Sequence, residues 1–165
     1  MILYKEWGQH LRLGNFWFNY ATILTIAKRT GHWISLPDYF AWQYMKHPPL
    51  IDHNIPQDDL FHFRSHNPSR EEIDWLYESF SGNTGMNINI NLGGNNQSEK
   101  WFQDEYKHVK EMLRFSPSAI ANVCKKYAHI LGNGKKTIGI GVRRGDFVNH
   151  GVFYQIPIEW YTKAL

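Results

Sequence analysis

Two adjacent arginines and an acid, Arg143, Arg144 and Asp146 in the run VRRGD, are the sharpest chemical feature of the chain. A guanidinium stays charged and grips phosphate oxygens through paired N–H groups. Fixed cations there would stabilise the charge growing on a diphosphate leaving group without waiting for solvent to reorganise. Neighbouring residues on a straight strand point to opposite faces. One arginine is therefore expected to touch the ligand while the other, or Asp146, orients it. A surface Arg–Asp pair at a loop is the plainer reading of the same residues. A second candidate is LRLGN at 11–15, read as a turn between a strand and a helix, where backbone N–H groups could meet an anion.

Other patterns carry less. LGNGKKT at 131–137 fails as a phosphate-binding loop, because His129 stands in place of the first glycine and Lys136 where Ser or Thr belongs. Nine histidines are scattered; His62 and His66 lack the glutamate of a zinc helix, and Pro68 follows closely, so no metal is expected. Asn96-Gln97-Ser98 is a glycosylation sequon that matters only in a secretory lumen.

The elements that must position these residues read as α/β. A short strand at 2–7 leads through a glycine-containing turn into a helix. Phe16, Tyr20, Leu24 and Ala27 fall on one face of that helix, and Gly31 stops it. Residues 33–36 suggest the next strand, ended by Pro37, and 38–68 read as irregular structure with short pieces. Ser69 and Glu72 have capping-box spacing ahead of a helix with Ile73, Leu76, Tyr77 and Phe80 on one face, ended by Gly82. Residues 86–92 alternate, with Met86, Ile88, Ile90 and Leu92 on one side and Asn87, Asn89 and Asn91 on a wet one. A helix is expected over 98–115, its buried stripe made by Phe102, Val109, Met112 and Leu113. Ser116-Pro117 opens another that runs to Leu131 and stops at Gly132. TIGIGV at 137–142 reads as a buried strand with Gly139 and Gly141 open to close approach, and VRRGD lies at its carboxyl end. Pro157 opens a last helix.

The 165 residues suit one domain plus the start of another. Net charge is +3, and the basic residues are scattered apart from Lys125-Lys126, Lys135-Lys136 and Arg143-Arg144, so no nucleic-acid partner is expected. The single cysteine, Cys124, permits no internal disulfide and falls in an apolar helical pattern that suggests the core. The opening residues MILYKEWGQH are too short and polar for a signal peptide, and no apolar run reaches membrane-spanning length. A cytoplasmic location, at most peripheral to a membrane, is the expectation.

Three blocks in order resemble the galactoside α-1,2-fucosyltransferases, with kinship to α-1,6- and nodulation-type enzymes. HLRLGNFWFNYATILTIAKRTG at 10–31 is like the family's opening G-x-L-G-N-Q-M-F-Q-Y-A and its helix. NNQSEKWF at 95–102 is like F-Q-S-E-K-Y-F, and GVRRGDFVNHGVFYQIPIEWYTKAL at 141–165 is like H-x-R-R-G-D-Y with the helix after it. The resemblance implies a GT-B-type glycosyltransferase moving L-fucose from GDP-fucose to O2 of a terminal galactose, with inversion and no required metal. Its partners would be GDP-fucose and a galactose-containing glycan. Arg143 would bind the donor diphosphate, supported by Arg144 and Asp146, and Asp146 is the one motif carboxylate available as a base. Gly14 and Asn15 would lie near the donor across the cleft. Residues 1–134 would form the acceptor-side domain and 135–165 the first strand-loop-helix of a Rossmann-like donor domain, the rest of which a complete family member carries further on. The chain departs from the pattern at Arg12, Phe16 and Gly141, which replace a glycine, a glutamine and the motif histidine. The rival expectation is a non-catalytic remnant of that fold, binding anions or stacking sugars on exposed tryptophans such as Trp42 or Trp101.

Overall fold

The computed structural model describes residues 1–4, 12–51, 60–65, 67–81, 89–94, 96–142, 151 and 156–164. The chain divides into two units, Met1–Lys125 and Lys126–Leu165. This division falls inside the stretch assigned from sequence to the first domain.

The first unit is built on four parallel strands in the order β2-β1-β4-β3: β1 (Ile2–Leu3), β2 (Ile34–Ser35), β3 (Leu60–Arg64) and β4 (Asn89–Gly93). Two strand-helix-strand units generate it, through α1 (Leu13–Thr30) and α2 (Arg70–Phe80). Register places Ile34, Ile2, Ile90 and Phe61 in one row across the sheet. They pack with Phe16, Tyr20, Ile23 and Leu24 of α1 and with Ile73, Leu76 and Phe80 of α2 in one core. The opposite row reads Ser35, Leu3, Asn91 and His62.

Local chemistry explains the helix ends. Gly31 takes the left-handed conformation (φ 72°) and its N–H reaches the Ala27 carbonyl, an arrangement costly for any residue with a Cβ. Lys28 and Arg29 in the last turn suit the negative end of the helix dipole. Three threonines on α1 are buried, and their hydroxyls donate back along the helix: Thr22 to Phe18, Thr25 to Ala21 and Thr30 to Ile26, at 2.7–3.0 Å. Ser69 and Glu72 close a reciprocal capping box on α2, as their spacing predicts. Lys28 and Arg29 also pair with Glu105, and Arg70 pairs with Asp74 and Asp104, which ties α1, α2 and the turn at 103–105 together.

Several expectations are corrected. The stretch 38–68, expected to be irregular with short pieces, holds two of them, a 3-10 helix at Phe40–Tyr44 and the strand β3, which sequence did not single out. The asparagine face of β4 is not wet at Asn91, which is buried with its Nδ2 3.1 Å from His62 Nδ1; residues 86–88 lie outside the described set. The helix expected over 98–115 is broken into 3-10 turns at Glu99–Trp101 and Gln103–Glu105, followed by α3 (Tyr106–Met112). The helix expected to run to Leu131 is interrupted at Tyr127, giving α4 (Pro117–Lys126) and α5 (Ala128–Leu131). Cys124 is exposed, because α4 buries none of its residues.

The second unit holds α5, α6 (Ile158–Ala164) and the segment between them. Residues 137–142 are exposed and form no strand: Ile138, Ile140 and Val142 are 68%, 43% and 39% accessible. Apolar alternation supplies one face of a strand, but N–H and C=O groups also need a neighbour, and 137–142 pair with no strand among the described residues.

Candidate functional site

The carboxyl ends of β1, β4 and β3 and the start of α1 converge on one edge of the sheet. Parallel sheets bind ligands at that edge, because every strand there hands the chain to a loop or a helix N-terminus. Gly14 and Asn15 do not form a separate turn, as the spacing suggested; they belong to the first turn of α1. The helical ladder starts with Phe16 N–H to the Arg12 carbonyl at 2.9 Å. The N–H groups of Leu13, Gly14 and Asn15 therefore precede it, and no acid occupies the first turn. A Cβ on Gly14 would meet nothing within 4 Å, so the backbone there is open to approach.

Asn15 is held from the far side of the sequence. Its Oδ1 accepts a hydrogen bond from Gln97 Nε2, a residue 82 positions away. Behind this pair lies a buried amide line. Asn96 Nδ2 donates to Asn19 Oδ1 at 3.2 Å, Asn19 Nδ2 lies 3.5 Å from the Tyr4 hydroxyl, and that hydroxyl donates to the Gly94 carbonyl. Asn19 and Asn96 are fully buried, and the backbone makes room for the second through left-handed residues at Gly94 (φ 79°) and Asn96 (φ 34°). Asn96 Oδ1 is buried with no hydrogen-bond partner among the described residues. The sequon asparagine is thus committed to the interior and is no surface acceptor for a glycan.

Two neighbours fix the rest of the edge. Trp101 is buried, edge-to-face against Phe63 with ring centroids 5.6 Å apart, and its carbonyl accepts from the Tyr77 hydroxyl at 3.3 Å. Burial pushes that hydroxyl's pKa up to about 12; the Arg29 and Arg70 cations oppose the rise, and the Asp104 and Glu105 carboxylates add to it. The side chain of Arg64, the last residue of β3, lies against Gly93; a Cβ there would come 3.0 Å from Arg64 Nε, so the arginine would have to yield by a few tenths of an ångström.

The first two resemblance blocks, 10–31 and 95–102, therefore meet at the sheet's carboxyl edge through Asn15–Gln97 and Asn19–Asn96. Arg143, Arg144 and Asp146 lie outside the described residues. Among the described residues a Cβ on Gly141 would meet nothing within 4 Å. Sequence reasoning passed over Tyr4, Asn19 and Arg64, and met Asn96 only as a sequon and within the block 95–102. The one available signal was Asn19, an amide amid the apolar run FNYATILTIA. Trp42 and Trp101 are buried, at 4% and 1% accessibility, and offer no face to a sugar; aromatic packing with Phe16 and Tyr20 claims the first and Phe63 the second. Among the described residues no group of three His, Cys, Asp or Glu side chains could hold a metal ion, and no helix is long and apolar enough to cross a membrane.

Amides, a helix start with no side-chain cap among the described residues, and the glycine at position 14 suit a ligand rich in oxygen, such as a phosphate or a sugar hydroxyl. Comparison with protein-family models, curated proteins and solved structures returned no match to this chain.

Proposed function

We propose that this chain belongs to an inverting, GT-B-type fucosyltransferase of the galactoside α-1,2 kind, with GDP-fucose as donor and a galactose-containing glycan as acceptor. The observation that carries the reading is the Asn15–Gln97 hydrogen bond. It joins two of the three blocks that resemble the family, at the sheet edge where α/β proteins hold ligands.

In this reading the start of α1 with Gly14 and Asn15 approaches the donor. Arg143 binds its diphosphate, Arg144 and Asp146 support it, and charge developing on departing GDP is stabilised by fixed dipoles and cations. No metal enters the scheme. Asp146 is the candidate to take the acceptor hydroxyl's proton. The remnant reading that relies on sugar stacking at Trp42 or Trp101 loses its support, since both rings are interior.

The test is calorimetric titration of GDP-fucose into the chain extended through the coding sequence downstream of Leu165, as wild type and as Gln97→Ala and Asn15→Ala. The reading expects binding weakened about tenfold by each substitution, the scale of a hydrogen bond lost from a ligand-bearing loop. Unaltered affinity in both variants would remove this edge from the donor site.

A further inference from the structure

We propose that the cleft between α1 and α3 binds a small amphiphilic carboxylate, a flat apolar ring system that carries one negative charge. The cleft encloses about 270 Å³. Sites for drug-sized ligands run from roughly 300 to 1,000 Å³, so this one suits a smaller molecule of about two fused rings. Trp17, Phe18 and Ala21 of α1 line one side, and Tyr106, Val109 and Lys110 of α3 line the other. On each helix these positions stand three and four apart, the spacing that presents one face.

The cleft is built into the first unit. Ala21 and Val109 are buried in its core. Trp17 stands edge-to-face with Phe16 and with Phe115, ring centroids 4.6 and 5.9 Å away. Lys28 of α1 pairs at 2.6 Å with Glu105, the residue that leads into α3. Phe18 and Tyr106 stay 37% and 57% accessible, which leaves ring surface open to a ligand.

Apolar rings alone would not name an occupant; the charge among them does. Lys110 is itself a lining residue, and its Nζ lies 5.9 Å from the centroid of the Tyr106 ring, a second lining residue. A ring face attracts a cation without neutralising it. The carboxylates beside Lys110 and Tyr106 in the chain are committed elsewhere, Glu111 to Lys46 and Arg114 and Glu105 to Lys28 and Arg29. Among the described residues Lys110 enters no ion pair, and no carboxylate lines the cleft. A ligand with one ring system and one carboxylate buries apolar area against the walls and supplies the missing anion. A second copy docked here about a two-fold axis would instead set Lys110 against Lys110.

The experiment is calorimetric titration of the full chain with 2-naphthoate, its neutral isostere 2-naphthamide, and glucuronate, which has the charge without the fused rings. It rests on no part of the fucosyltransferase reading, since the probes contain neither GDP nor fucose. Naphthoate is expected to bind at least about tenfold more tightly than the amide, and glucuronate more weakly than either. Added salt should narrow the difference between naphthoate and amide. Lys110→Met keeps an apolar stem and removes the charge. It should bring naphthoate down to the affinity of the amide, with amide binding and the unfolding temperature unchanged, and Lys110→Arg should retain the preference. Tyr106→Ala should weaken both naphthalene probes about fivefold. Equal affinity for naphthoate and amide, no binding of either, glucuronate binding as tight as naphthoate, or a preference that survives Lys110→Met would overturn the proposal. So would concentration-dependent self-association that Tyr106→Ala removes, because the cleft would then serve a second copy.

Discussion

Residues 89–93 and 137–142 carry similar apolar alternation, NINLG and TIGIGV, yet they end in different physical states. The first is β4, with β1 on one side and β3 on the other, and Ile90 and Leu92 fully buried. The second is exposed, with Ile138 and Ile140 68% and 43% accessible. The difference between the two units lies less in the side chains than in the availability of neighbours. A strand gains from its apolar face only after its backbone groups are paired.

Substitutions should separate the two regions sharply. Trp101→Ala removes a buried ring from the contact with Phe63 and is expected to cost about 3–5 kcal/mol in chemical denaturation. Ile138→Ala should stay within about 0.5 kcal/mol, as exposed positions do. A comparable loss at both sites would erase the distinction drawn here.

Asn96→Ala comes next. It strips Asn19 Oδ1 of its donor and puts a Cβ residue with no local hydrogen-bonding ability at φ 34°. A loss of about 1–3 kcal/mol is expected, read as a lowered denaturant midpoint. Asn96→Gly relieves the backbone but not the amide, so it should fall between wild type and the alanine variant. Ser69→Ala, which opens the capping box on α2, should cost about 1 kcal/mol.

Acid should act more mildly, and on the first unit. Glu105 is held below the ordinary carboxylate value of 4.5 by its hydrogen bond from Lys28, opposed by burial and aided by the Lys28 and Arg29 charges. Glu111 is brought down to about 2 by hydrogen bonds from Lys46 and Arg114. A carboxyl whose folded value lies below its unfolded one contributes stability above the unfolded value. That contribution is lost as pH falls through the folded value. Thermal unfolding should therefore decline from about pH 4.5 towards 2, and Glu105→Gln should make the decline shallower. An identical pH profile in that variant would dissociate the ion pair from stability.

How much of this could be read in the residues depends on how local each cause is. The capping box at Ser69 and Glu72, the stop at Gly31 and the buried stripe of α1 each depend on contacts within a turn, and spacing revealed them. β3 escaped notice because its LFHFR run is short and follows a proline-rich stretch. Its place was set by pairing to Asn89–Gly93, a contact between distant segments. The same non-local cause hid Asn96: nothing in NNQSE marks which asparagine turns inward, and only Asn19 across the sheet edge decides it. Cys124 misled for the opposite reason, since its helix has an apolar stripe yet buries none of its residues. Gly14 and Asn15 were found as a candidate pair, although their helical setting and the hold of Gln97 were not.

The central proposal is donor chemistry at the sheet edge with Arg143 on the diphosphate, and transfer itself tests it most directly. GDP release from GDP-fucose, with a terminal galactoside as acceptor, would be followed in the extended chain and its Arg143→Ala variant. The account predicts acceptor-dependent release in the wild type, with kcat lowered about 100-fold or more in the variant. No GDP-fucose turnover, or full activity in Arg143→Ala, would contradict it.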